Sequence, residues 1–154
     1  MQETHVRLAQ PTDRDQLARL RHALWPESSS AHHAKELTQI LADNPPGILP
    51  LVIFVAASND GTLVGFLEAG LRSYADGCDP VHPVGYIEGW YVIEARRRQG
   101  LGAALLRAAE DWARTQGCIE MASDTQLENL SSQRAHEALG FEITERSILY
   151  RKAL

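Results

Sequence analysis

Nowhere in the 154 residues is there an apolar run of about 18, so no segment reads as a membrane-spanning helix. Cysteine is scarce. Cys78 and Cys118 are too few and too far apart for a disulfide framework or a zinc site, and the six histidines show no metal-ligand spacing, so no metal is expected. Cys118 opens an apolar run and reads as a small core residue, whereas Cys78 falls in a turn-rich loop and reads as an inert thiol rather than a nucleophile. The first residues, Met1-Gln-Glu-Thr-His5, lack the charged-then-apolar pattern of a secretory signal, so a cytoplasmic location is expected. No Gly-Lys-Ser/Thr is present, which excludes a P-loop. Basic charge is not in excess either: the net charge of -5 argues against a nucleic-acid partner and is compatible with a cationic small molecule.

The length and an ordinary apolar content predict one globular domain over 1–154 that buries its core without covalent staples. Alternation predicts a strand over 5–9. A helix then opens at Pro11-Thr-Asp-Arg-Asp15, with Thr12 as N-cap and Asp15 three residues on, and ends at Pro26 with Trp25 at its exit. A second helix is expected over 30–42, with His32 and His33 solvated, followed by a firm break at Asn44-Pro-Pro-Gly47. Strands over 51–57 and 62–72 flank the hairpin signal Asn59-Asp-Gly61. A strand over 84–93, a helix over 100–116, a strand over 118–123 and a helix over 129–139 follow, with a final strand or strand pair over 141–152. This mixture argues an α+β or mixed α/β fold.

The most informative stretch is Tyr86-Ile-Glu-Gly-Trp-Tyr-Val-Ile93 followed by Glu94-Ala-Arg-Arg-Arg-Gln-Gly-Leu-Gly102. An apolar strand runs into a basic, glycine-containing turn that opens a helix, which aims free N–H groups and the positive helix end at one point and so suits a pyrophosphate. On the turn alone, a tight turn with Arg96-Arg-Arg98 as a solvated run fits equally well. The near match to a dinucleotide fingerprint, with Asp124 about 20 residues on, is weakened because Leu105 stands at the third glycine position and Glu94 to Gln99 separate the glycines from the strand.

Arg97-x-x-Gly100-x-Gly102 after a strand ending at Val92, then Asn129-x-x-Ser132 and Leu139-Gly-Phe141, resemble the GNAT superfamily of N-acetyltransferases. The resemblance implies a mixed central sheet with helices on both faces and strands that splay at the acyl-CoA site. Gly89 fits a bulge there. It further implies that the backbone of Arg97, Arg98, Gln99, Gly100, Leu101 and Gly102 cradles the pyrophosphate of acetyl-CoA. Tyr91 and Val92 would meet the thioester, and Asn129 and Ser132 the pantetheine arm.

Arg21-x-x-Leu-Trp-Pro26, Glu68-Ala-x-Leu-Arg72, Asp76-Gly-Cys-Asp79, Pro83-Val-x-Tyr-Ile-Glu-Gly89, Ala122-Ser-Asp124, Glu128-Asn129, His136 and Glu142-x-Thr-Glu-Arg146 look like a narrower group, the aminoglycoside 6'-N-acetyltransferases. That group acts on polycationic sugars, and a pocket for them calls for carboxylates and an aromatic wall. Glu88, Asp124 and Glu145 are the acids expected there, with Trp25 stacking on a sugar and Tyr74 at the loop edge. Glu88 lies in an apolar strand, where an unpaired charge is costly. Asp124 has the competing reading of a cap, Glu145 that of a solvated strand residue, and Trp25 that of plain core.

A protonated amine has no lone pair, so Asp124, or Glu88 through water, is the candidate base. The backbone N–H at Val92 is the candidate oxyanion donor. His136 occupies the position where the superfamily often has a tyrosine, and is either the proton donor to the leaving thiolate or a histidine packed on the cofactor. Direct transfer in a ternary complex is expected, and the resembled group often forms homodimers. Acetylation of another amine (a peptide N-terminus or a polyamine) and non-catalytic acyl-CoA binding remain alternatives.

Overall fold

The computed structural model describes residues 3–42 and 49–154, so the break expected at Asn44-Pro-Pro-Gly47 lies outside the described residues. Five strands form one sheet in sequential order: β1 Thr4–Leu8, β2 Leu51–Ser58, β3 Leu63–Arg72, β4 Val84–Val92 and β5 Met121–Ser123. The first four pair antiparallel and β4 pairs with β5 in parallel, the mixed sheet that the sequence predicts. Strand alternation sorts the core onto two faces. Val55, Ala57 and Phe66 meet Leu17 and Leu20 of α1 (Arg14–Leu24) and Leu37 of α2 (Ser30–Ile40). Ala56, Leu67 and Ala69 meet Leu105, Leu106 and Ala109 of α3 (Leu101–Thr115) on the opposite face. A fourth helix, α4 (Leu130–Ala138), follows β5.

The start of α1 differs from the expected cap. A 3-10 turn over Pro11–Asp13 precedes it, and Gln10 rather than Thr12 is the capping residue. Pro11 sets the start, because its fixed φ and missing N–H suit the first helical position. The Gln10 N–H donates to Asp13 Oδ2 (2.8 Å), and Arg7 holds the same carboxylate through two N–H groups at 2.7 and 3.0 Å. Asp15 takes no part; it pairs with Arg14 at the surface.

His32 is exposed as expected, but His33 is buried at 3% exposure. It lies one residue on, on the side of α2 turned toward α1, where its Nε2 sits 3.2 Å from the Trp25 carbonyl oxygen. The strand expected over 118–123 is reduced to β5, because its pairing with β4 spans only Gly85↔Met121 to Ile87↔Ser123. No strand forms over 141–152. Phe141 packs on His136, but beyond it the chain is exposed, with Leu149 and Tyr150 more than nine-tenths accessible. Among the described residues no strand lies alongside this segment to take its N–H and C=O groups, although its sequence suits one.

Candidate active site

The site begins with one extra residue in β4. Glu68 of β3 faces Gly89 while its neighbour Ala69 faces Ile87, so Glu88 is the bulged residue between them. Before the bulge, β4 is held by β5; beyond Ile87 that partner is gone. The Ile93 N–H donates to the Val64 carbonyl of β3 (2.9 Å), so by strand alternation the Val92 N–H turns away from β3, to the side that β5 has left. The Val92 carbonyl on that side is already taken by Arg97 Nε (2.9 Å), and the N–H is left for a ligand. Gly89 serves a second purpose. A Cβ there would stand 2.5 Å from Trp25 Cη2, so only glycine lets the indole lie on the strand.

The basic turn after β4 is open in the way its sequence implies. Arg98 (φ 57°) and Gly100 (φ 80°) are both left-handed, and Gly100 is the N-cap of α3. Among the described residues, the N–H groups of Arg98, Gln99, Gly100, Leu101, Gly102 and Ala103 have no protein acceptor, and Ala104 is the first to bond back, to the Gly100 carbonyl. The three arginines divide the work. Arg96 ties the turn to the sheet through Thr4 Oγ1 (2.6 Å) and Ser58 Oγ (3.3 Å). Arg97 braces Val92 with its guanidinium 5.6 Å from the Tyr91 ring centroid. Arg98 has no side-chain partner among the described residues. Six free N–H groups with a helix N-terminus and a free guanidinium fit a pyrophosphate. Asn129 caps α4 by accepting from the Ser132 N–H (3.1 Å), which leaves its amide NH2 free.

The acids form a network rather than a bare cluster. Glu88 is exposed at the bulge and paired with Arg72 at 3.2 Å, so the burial cost expected for it in an apolar strand does not arise. Arg72 in turn lies over the Tyr86 ring, 3.4 Å from its centroid, and the Tyr86 hydroxyl donates to Asp124 Oδ1 at 2.6 Å. Burial, then the bond to Asp124, pushes the Tyr86 phenol well above its usual range, so it stays a donor. Glu88 and Asp124 are thus joined through Arg72 and Tyr86, two residues that sequence reasoning did not single out. Trp25 is half-buried as expected, and with Glu88 it lines a pocket of about 460 Å³. Asp124, Tyr74 and Glu145 do not line that pocket. Tyr74 is exposed and donates to Asp76 (3.0 Å); Asp76 first, and Glu145 more weakly, raise its phenol.

His136 is fixed at both ring nitrogens. Nδ1 lies 2.7 Å from the Ser132 carbonyl oxygen, a pure acceptor, so Nδ1 carries a proton; Nε2 faces Ser123 Oγ at 2.8 Å. Trp90 and Phe141 pack edge-on against the ring, 5.3 and 5.2 Å away.

The acid that is buried is one the sequence reading did not place in the site. Glu68 is 5% exposed on β3 and reaches Arg21 of α1, which also bonds Glu36 of α2 (3.0 Å). Burial pushes the Glu68 carboxyl above the usual carboxylate range, against the pull of Arg21. A charge within the apolar run Phe66-Leu-Glu-Ala was the available signal, the same one that marked Glu88. Among the described residues no group of His, Cys, Asp and Glu side chains could hold a metal ion.

The sequence profile of the acetyltransferase (GNAT) family matches residues 15–141. An aminoglycoside N(6')-acetyltransferase type 1 of Serratia marcescens is 46% identical over 136 residues, covering 88% of this chain and 89% of that protein. Another of the same name, from Klebsiella aerogenes, is 40% identical over 149 residues, covering 97% and 96%. Among solved structures, aminoglycoside N-acetyltransferase AAC(6')-Iy in complex with CoA superposes with a TM-score of 0.88 at 38% identity, covering 100% of this chain and 97% of that one. The same enzyme in complex with the bisubstrate analogue CoA-S-monomethyl-acetylneamine superposes with a TM-score of 0.83 at 38% identity, covering 99% of both chains.

Proposed function

The chain belongs to the acetyltransferase (GNAT) family, and on that premise we propose that it transfers the acetyl group of acetyl-CoA to the 6'-amino group of aminoglycoside antibiotics, conferring resistance. The observation that carries this reading is the two-sided use of β4. An acid-lined pocket and Trp25 lie where the bulge turns Glu88 outward, and the Val92 N–H and the open N–H run of 98–103 lie toward the splay. Relatives at 40–46% identity that carry the aminoglycoside name support it over a peptide or polyamine acetyltransferase.

In this reading the N–H groups from Arg97 to Gly102, with the Arg97 and Arg98 charges, hold the pyrophosphate of acetyl-CoA. Asn129 and Ser132 contact the pantetheine arm, and Tyr91 and Val92 flank the thioester. Acetyl-CoA supplies an acyl group activated for direct attack, so no protein nucleophile is required. Glu88 and Asp124 attract the substrate ammonium, and Asp124, oriented by Tyr86, takes its proton, with Glu88 acting through water as the second candidate. The Val92 N–H stabilises the developing oxyanion. His136, once protonated on Nε2 as well as Nδ1, delivers a proton toward the leaving thiolate through the Ser123 hydroxyl 2.8 Å away, and the proton that replaces it is one the attacking amine loses. Trp25 stacks on a sugar ring, and Tyr74 and Glu145 form the outer edge.

The protein acts as a single domain over 1–154 in the cytoplasm and as a homodimer. The exposed Ile148, Leu149 and Tyr150, in a segment whose sequence suits a strand, support the dimer. Free-thiol release from acetyl-CoA, measured with kanamycin, tobramycin and a 6'-hydroxyl aminoglycoside in parallel, tests the activity. Release with the 6'-amino compounds alone is the expected result. Release with peptide or polyamine amines and none of the aminoglycosides would move the assignment to another amine.

A further inference from the structure

The pocket between α1, α2 and the β4 bulge has a floor that the proposed chemistry does not use. Four carboxylates line it, Glu27, Glu36, Glu68 and Glu88, against one guanidinium, Arg21, a net charge of −3. Arg21 is gripped from both sides. Glu68 lies beneath it, with Oε2 at 3.3 Å from Nε and Oε1 at 3.4 Å from the terminal nitrogen. Glu36 lies at the rim, with its side chain 44% exposed. Arg21 also sits 5.1 Å from the Trp25 ring centroid.

The floor is poorly bonded for so buried a place. Arg21 Nε and Glu68 Oε2 face each other without the alignment of a hydrogen bond. With His33 Nδ1 they are the three buried side-chain polar atoms that lack one among the described residues. A buried ion pair held by one long hydrogen bond, with a second left unmade, contributes little to stability, since apolar groups of similar volume often hold a fold as well. Its consequence is electrostatic. Paired with Glu68 at 3.3 Å, Arg21 has half of its charge answered from below, so less of it falls on the rim acids.

We infer that Glu68 is a specificity-determining residue, which by sharing Arg21 with Glu36 from the pocket floor keeps the rim net negative for the ammonium groups of a polycationic substrate. This rests on the reading of the pocket as an aminoglycoside site and assigns the floor a part in choosing among such substrates by charge. The groups facing Glu68 are Arg21 from α1, Glu36 from α2 and Glu88 from β4. Glu68→Gln makes the pocket one unit more positive and turns Arg21 wholly onto Glu36. Glu68 touches no reacting atom, so its effect falls on KM.

The test is steady-state kinetics with kanamycin and with tobramycin, which carries one amine more. Glu68→Gln is expected to raise KM about five- to tenfold, more for tobramycin than for kanamycin, with kcat within about twofold of wild type. Glu68→Asp, which restores the charge, should recover most of the loss. Arg21→Gln with Glu68→Gln returns the pocket to −3 and should bring KM back to within about twofold of wild type. A merely structural role predicts the reverse, with the double variant at least as impaired as the single and no dependence on substrate charge. Either of those results overturns the inference. Should Glu68→Gln alone not stay folded, Glu36→Gln at the exposed rim removes one unit of charge from the same pocket, and a KM change independent of substrate charge there overturns it too. Failure of the wild type to acetylate any aminoglycoside would strike the proposed function instead, a result distinct from any of these.

Discussion

Replacing Gly89 by alanine places a methyl group in the wall that Trp25 makes against β4. The new Cβ would stand 2.5 Å from Cη2 and 2.7 Å from Cζ2 of the indole. Ordinary contact begins near 3.4 Å, so the ring has to retreat by roughly 0.9 Å. It is not free to do so, because Phe66 packs edge-on against it with centroids 6.2 Å apart and Arg21 lies beside it. Overpacking of this kind costs about 1–3 kcal/mol. For a domain of this size each kcal/mol lowers the melting midpoint by about 2–4 °C, so Gly89→Ala should melt about 2–12 °C below wild type. Trp25 lines the pocket, so KM for the aminoglycoside should rise while KM for acetyl-CoA holds. Gly102→Ala is the matched control. It also faces a tryptophan, but its Cβ would sit 3.4 Å from Trp90 Cζ2, an ordinary contact, in the first turn of α3. There alanine should be neutral or stabilising by about 0.5–1 kcal/mol. Calorimetry on the two variants decides the matter. Equal melting of Gly89→Ala and wild type, or equal loss in both variants, would refute the contact reasoning.

Asp124→Asn is expected to lower kcat/KM by about 10²–10⁴-fold, and Tyr86→Phe, which removes only the orienting hydrogen bond, by about tenfold or less; stopped-flow thiol release under saturating acetyl-CoA separates the two. Arg7 holds the Asp13 carboxyl below its usual range, so the unfolded chain binds that proton more tightly than the native state. The stability this contributes is complete above the unfolded carboxyl's pKa, near ~3.9, and is lost as pH falls through the lower native value. Asp13→Asn should therefore cost about 1–3 kcal/mol at neutral pH, and urea titrations of the two proteins should converge toward pH 2. Deleting residues 146–154 should yield a monomer by light scattering if the exposed C-terminal segment forms the dimer; an unchanged dimer would place that contact elsewhere.

Where periodicity and local punctuation decide structure, the sequence was legible. The apolar run at 51–57, the glycine at 61 and the helical spacing of Leu101, Leu105 and Trp112 led to the right elements in nearly the right places. It misled wherever the outcome depended on a neighbour distant in the chain. His33 reads as one of a solvated pair, and only the packing of α2 on α1 buries it. Residues 141–152 suit a strand, but a strand needs an edge to pair with, and β5 offers three residues. Glu88 was singled out because a charge in an apolar strand is costly, whereas Arg72, sixteen residues earlier, and the bulge make it cheap. The same logic applied to Glu68 would have been right. Which of two such acids is buried is set by a cross-strand register that no local pattern contains.

That register is also what makes the site. If Glu88 were drawn into regular pairing opposite Glu68 instead of bulging, the residues after it would change parity. The Val92 N–H would then turn back toward β3, and Trp90, which packs on Gly102 and His136, would change faces with Tyr91. The residues before it, held to β5 through Gly85, Tyr86 and Ile87, would be unaffected. One inserted residue therefore sets three things together. It turns a carboxylate outward beside Trp25, it frees an N–H on the side that β5 leaves, and it keeps the strand bonded to β3 throughout. A carboxylate at Glu88 and a donor at Val92 on one strand, divided by the bulge, are the parts an acyl transfer to a cation needs. Local substitution alone, in an unbulged strand, would not bring them into that relation.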